Sequence, residues 1–176
     1  MKELFFNHPT KQWHFEELRI ASGLSRAQTN EWLKKLKKEQ LIKRVKPKGK
    51  MPYHVANWQH PHYKNTKRLF GLTALHECGL LDYISSLEGA ETVVIFGSFS
   101  RWDWYDNSDV DIFIYGDVKE IFVGKFGSKL KREVQIFHGK NIADLKKMGK
   151  PLLKNVIKGI TLNGTLPQEV LEYAAV

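Results

Sequence analysis

Helical periodicity begins over residues 14–21, where Phe15 and Leu18, with Ala21 or Ser22, fall on one side before Gly23-Leu24-Ser25 interrupts the pattern. A second helix is predicted to start at once, because Ser25 supplies an N-cap hydroxyl and Gln28, three positions on, completes a capping box. Residues 26–40 then read as a helix with Ala27, Trp32, Leu33 and Leu36 facing inward and Arg26, Gln28, Asn30, Lys34 and Lys35 facing outward. Two β-type runs follow, over residues 42–46 and 53–56. The intervening Pro47-Lys48-Gly49-Lys50-Met51-Pro52 makes them a basic hairpin with a flexible tip.

His60-Pro61 marks a boundary, since the residue before a proline is biased away from helix. Beyond it Leu69, Leu72, His76, Leu80, Ile84 and Leu87 recur every three or four positions, so residues 63–88 read as one or two amphipathic helices with Gly79 as a break. Their apolar face either packs on the following sheet or pairs with the same face of a second copy, which would make a homodimer. Thr92-Val93-Val94-Ile95-Phe96 has the continuous apolar character of a buried strand and stops at Gly97-Ser98. A second strand is predicted over 109–114, a helix over 118–130 and a third strand over 132–137. Residues 141–158 read as helical, 160–163 as a short strand, and 167–176 as a terminal helix opened by Pro167. The expected fold class is α/β (α+β), with an N-terminal domain over residues 1–58, connecting helices over 59–89 and a small mixed-sheet domain over 90–176.

Charge divides along the same line. Of the 28 Lys and Arg in the chain, residues 1–60 hold 13 against 5 acids, a net of +8 out of the total of +9. One third of the chain therefore carries nearly all the charge, as expected of a polyanion-binding module joined to one with different work. Cys78 is the only cysteine, which excludes an internal disulfide and argues against a cysteine-built zinc cluster. No segment has the length and apolarity of a transmembrane span, and Glu3 precedes any apolar run suited to a signal peptide. A cytoplasmic protein without a membrane partner is the expectation.

The chemistry concentrates between residues 97 and 111. Asp109 and Asp111 lie two apart on a strand and so share a face. Paired carboxylates repel unless a cation neutralises them, and Mg²⁺ favours hard oxygen ligands while leaving room for phosphate. The preceding Gly97-Ser98 turn opens a short helical segment, whose free N–H groups and hydroxyl suit phosphate oxygens. Gly124-Lys125-Phe126-Gly127-Ser128-Lys129 lacks the order of a P-loop, and no dinucleotide fingerprint is present.

Two resemblances organise these observations. The order helix, turn, helix, basic hairpin over residues 1–58 resembles a winged helix-turn-helix domain. That resemblance implies DNA binding, with Ser25, Arg26, Gln28, Thr29 and Asn30 facing base edges or phosphates and Lys48 and Lys50 on the wing. Gly97-Ser98-Phe99-Ser100-Arg101, continued to Ser108-Asp109-Val110-Asp111, resembles the signature of the polymerase-beta-type nucleotidyltransferase superfamily, and in particular its minimal nucleotidyltransferases. The resemblance implies that Gly97 and Ser98 contact the terminal phosphates of a nucleoside triphosphate, ATP being the expected one. It also implies that Asp109 and Asp111 hold Mg²⁺, and that Arg101 supports the loop or approaches the phosphates.

Trp102 stands where members of that family usually have glycine, and with Trp104 and Tyr105 it either stacks on a base or packs the loop. The family's third carboxylate, between two apolar residues, aligns with Gln135, which cannot accept a proton. Glu133, two positions earlier, is therefore the candidate third catalytic carboxylate beside Asp109 and Asp111. The expected activity is transfer of a nucleoside monophosphate to a protein or other acceptor. A small helical protein is the implied partner, as for antitoxin components. The alternative is a DNA-binding regulator of antitoxin type whose nucleotide domain is weak or inactive.

Overall fold

The computed structural model describes residues 1–175; Val176, the last residue of the expected terminal helix, lies outside the described residues. The chain divides into two compact units. The first comprises Met1–Leu69 and Trp104–Asp106, the second Phe70–Asp103 and Asn107–Val176. The division falls eleven residues later than the expected end of the N-terminal domain, because helix α4 (Pro61–Glu77) is shared between the units rather than serving as a separate connector.

The first unit is built from α1 (Lys2–Asn7), α2 (Phe15–Ser22), α3 (Arg26–Lys38), β1 (Ile42–Val45) and β2 (Tyr53–Ala56). Ser25 caps α3 as expected: its hydroxyl accepts from the Gln28 N–H, and the Gln28 side chain accepts from the Ser25 N–H. The inward face of α3 is Thr29, Leu33 and Leu36, at the i, i+4, i+7 spacing of one helical stripe. Ala27, expected inward, is exposed. The β1–β2 hairpin is antiparallel, and Trp13 adds a single bridge to His54. Phe5, Phe6, Trp13 and Leu18 are buried in this unit, and the Tyr63 hydroxyl donates to the Phe5 carbonyl at 2.9 Å. Burial pushes the Tyr63 phenol well above its usual range.

Trp104 belongs to this unit and is almost wholly buried. Lys67, equally buried, donates to the Trp104 carbonyl at 2.5 Å and lies 4.6 Å from the centre of its ring. That hydrogen bond and the ring face meet the requirement that a buried ammonium find partners. Trp104 is thus a packing residue and is not available to stack on a base. The buried stripe of α4 in this unit is Tyr63 and Lys67, whereas Leu69, expected inward, is 65% exposed.

The second unit centres on a four-stranded sheet of order β5-β4-β3-β6, from β3 (Ala90–Phe96), β4 (Val110–Gly116), β5 (Val134–Gly139) and β6 (Ile160–Asn163). β3 pairs antiparallel with β4 and β6, and β4 pairs parallel with β5. α5 (Leu80–Ser85) precedes the sheet and α6 (Gly97–Arg101) leads from β3 toward β4. α7 (Gly124–Leu130) supplies the crossover that a parallel pair requires. α7 is shorter than expected, since residues 118–123 are not helical. α8 (Ile142–Met148), α9 (Lys150–Ile157) and α10 (Gln168–Ala175) follow, and Gly149 divides the single helix expected over 141–158 into two. Val94, Phe96 and Phe113 form one apolar core with Leu145, Leu153, Val156 and Val170. A mixed α/β architecture with a mixed sheet is what the sequence pattern implies. Among the described residues, no helix is long and apolar enough to cross a membrane.

Candidate functional site

The strand run Thr92–Phe96 is buried on both faces, so β3 is held rigidly, and its end at Gly97 is fixed relative to the start of β4. Phe96 pairs with Asp111 across that antiparallel ladder, which brings the turn and the second aspartate together. Gly97 adopts a φ of +69°, and a Cβ on it would fall 2.1 Å from Asp111 Oδ2. Only glycine allows both the backbone conformation and the close approach of the carboxylate. Ser98 is partly exposed in the first turn of α6, and Ser100 is tied down by donating to the Gly97 carbonyl at 2.9 Å. Arg101 is exposed and pairs with Asp103 at 3.2 Å, and its charge acts on Asp111 from the same segment.

Asp109 lies just before β4 and Asp111 within it. Burial and the neighbouring Asp109 charge push the Asp111 carboxyl above the usual carboxylate range, against the opposing pull of Arg101. Such a pair is electrostatically incomplete on its own: two carboxylates with hard oxygen donors beside the turn fit a divalent cation with room left for phosphate.

Gln135 faces this pair in the parallel ladder with Asp111, and its amide nitrogen donates to Asp109 Oδ2 at 2.8 Å. Glu133 does not join them. β5 begins at Val134, one residue later than that role requires, and Glu133 is exposed with its backbone carbonyl accepting from the Val110 N–H at 2.9 Å. Among the described residues no three His, Cys, Asp or Glu side chains converge as for a metal ion. Arg132 is a contributor that sequence reasoning missed. Its guanidinium donates to the Ser108 carbonyl at 3.0 Å and lies 5.3 Å from the Phe99 ring centre, so one side chain braces both halves of the motif. Nothing in the local sequence distinguishes it from the neighbouring Lys131.

In the first unit the expected nucleic-acid contacts are only partly presented. Thr29 is fully buried and its hydroxyl donates to the Ser25 carbonyl at 2.9 Å, so it is removed from the surface. Ser25 and Gln28 are exposed but spend their side chains on the capping box. Arg26 is exposed and paired with Glu16. Asn30, Lys48 and Lys50 are exposed, the two lysines on the tight turn that Gly49 allows at φ +71°.

A mixed sheet with two carboxylates at the start of a central strand, facing a glycine turn at the end of its antiparallel neighbour, is the arrangement of a nucleotidyltransferase fold. Residues 80–165, just under half of the chain, match the family described as Polymerase beta, Nucleotidyltransferase. A crystal structure of a mutant of the toxin–antitoxin pair MntA-HpeT is similar over 61% of this chain and 81% of that chain, at 18% identity and a TM-score of 0.37. No curated protein matches the chain.

Proposed function

We propose that the protein binds a nucleoside triphosphate, with ATP as the first choice, together with Mg²⁺ and transfers the nucleoside monophosphate to an acceptor. In this reading Gly97 and Ser98 hold the terminal phosphates through backbone N–H groups and the Ser98 hydroxyl. Asp109 and Asp111 hold the cation, and Arg101 supports the loop. The bound cation would neutralise the two carboxylates and draw negative charge from the phosphate oxygens. The observation that carries the reading is the packing of the Asp111 carboxylate against Gly97, where a Cβ would lie 2.1 Å away. A carboxylate held this close sets a hard oxygen ligand for a divalent cation beside the turn that would meet the phosphates.

The acceptor is proposed to be a small helical partner protein, and the first unit is proposed to be a winged helix that binds DNA. Supporting the latter are the helix pair, the basic hairpin and the net charge of +8 over residues 1–60. Proton removal from the acceptor is left to the acceptor's own complex, since Gln135 cannot serve as a base. Calorimetry of ATP with Mg²⁺ tests the site. Asp109→Asn and Asp111→Asn should each abolish metal-dependent binding while circular dichroism stays that of the parent; unchanged affinity in both would remove the reading.

A second reading is favoured by one observation, the Gln135 amide bonded to Asp109. Here the nucleotide domain binds without turnover and the protein is a nucleotide-gated DNA-binding regulator. Labelled nucleotide distinguishes the two. Transfer to any protein or nucleic acid supports the enzyme; no transfer, with nucleotide changing DNA affinity, supports the regulator.

A further inference from the structure

The exposed face of α3 continues beyond Asn30 to Lys34 and Lys37, which lie four and seven positions on and so share one side of the helix. Across from them stand Arg44 of β1 and His54 of β2. Together with Phe15, Leu33 and Pro52 these residues line a notch of about 250 Å³ in the first unit. Its floor is apolar and its rim cationic, and no acid lines it. Among the described residues Lys34, Lys37 and Arg44 form no ion pair, although the same unit pairs Glu16 with Arg19 and Arg26, Glu17 with Lys11, and Glu39 with Lys2. Three of the unit's acids are thus engaged elsewhere, and the three cations line the notch with no acid among its lining residues. Their field is felt at His54, whose imidazole is held below its usual range by burial and then by Arg44 and Lys37; its Nδ1 is buried and has no hydrogen-bond partner.

We propose that this notch is a phosphate-binding site that seats the backbone of duplex DNA, with Lys34, Lys37 and Arg44 neutralising phosphates and Asn30 directed at the same strand. The inference rests on the DNA-binding reading of the first unit and moves its centre from the start of α3, where Ser25, Gln28 and Thr29 are internally engaged, to the second half of that helix and the hairpin stem. Unpaired cations on two adjacent elements suit a polyanion with regularly spaced charges better than a single small anion.

Fluorescence anisotropy of the full chain with a labelled duplex over a salt series tests it. Lys37→Gln with Arg44→Gln should weaken binding about tenfold or more and flatten the plot of log affinity against log salt by about two, as expected when two phosphate contacts are lost. Lys154→Gln with Lys158→Gln removes the same net charge from the second unit and should leave affinity within about twofold. In parallel, nuclear magnetic resonance should show the His54 titration rising when duplex is bound, because phosphate offsets Lys37 and Arg44; a general loss of fold in the variant would be visible in the same spectra. If the parent binds duplex and the two double variants lose affinity equally, or neither loses any, the notch is overturned while DNA binding stands. If the parent fails to bind duplex even at low salt, the DNA reading itself falls and the proposal with it. In that case a His54 shift on adding inorganic pyrophosphate would identify a free phosphorylated ligand as the source.

Discussion

Gly97 shows how much a single position carries. Its φ of +69° costs a side-chain-bearing residue about 1 kcal/mol or more, and an added methyl would also displace Asp111 Oδ2. Gly97→Ala is expected to lower stability by about 1–2 kcal/mol in urea denaturation and to weaken metal-dependent nucleotide binding by about tenfold or more. A variant with parent-like stability and binding would show that the contact with Asp111 is dispensable. Gln135 is the counterpart on the facing strand. Its amide satisfies one Asp109 oxygen, so any cation taken up by Asp109 must compete with that hydrogen bond or displace it.

At the scale of elements, α3 is specified twice, by its capping box and by the stripe Thr29–Leu33–Leu36. Ser25→Ala removes the hydroxyl that accepts from the Gln28 N–H, and a loss of about 1 kcal/mol is expected from denaturant unfolding. If stability is unchanged, water replaces the cap at no net cost. The capping box was legible in the sequence because it is a local pattern. The inward face of the helix was only partly so, since Thr29 and Ala27 exchange the places that polarity alone assigns them: the buried threonine satisfies its hydroxyl on the Ser25 carbonyl one turn back. α7 begins six residues later than expected and ends where expected, because periodicity does not register where a helix begins.

Across the whole molecule, charge is the property that folding redistributes most. Lys37 and Arg44, seven positions apart in the sequence, are brought into the lining of one notch with His54, which arrives from a third element. Burial first, and then the charges of Arg44 and Lys37, hold His54 below its ordinary value of 6.5 in the folded protein. Between the folded value and 6.5 the unfolded chain binds more protons than the folded one, so stability rises with pH through that window and is lost as pH falls from 6.5. Denaturant midpoints measured from neutral to mildly acidic pH should decline accordingly, and His54→Gln should flatten the decline. A slope unaltered by that substitution would assign it to another group.

The sequence by itself determined what depends on neighbours in the chain. The buried strand before Gly97, the Gly-Ser turn, the spacing to Asp109 and Asp111, the cap of α3 and the concentration of positive charge in the first sixty residues all follow from local composition and period. Tertiary structure decided what depends on partners distant in sequence. The parallel register places Gln135 opposite Asp111, while Glu133 lies one residue before the strand with its carbonyl accepting from the Val110 N–H. Trp104 is claimed by a buried lysine thirty-seven positions away, and Arg132 acquires its role only when the start of β5 lies beside Ser108 and Phe99. Side-chain partners of this kind are chosen by strand register and burial, and neither is written in the spacing of residues along the chain.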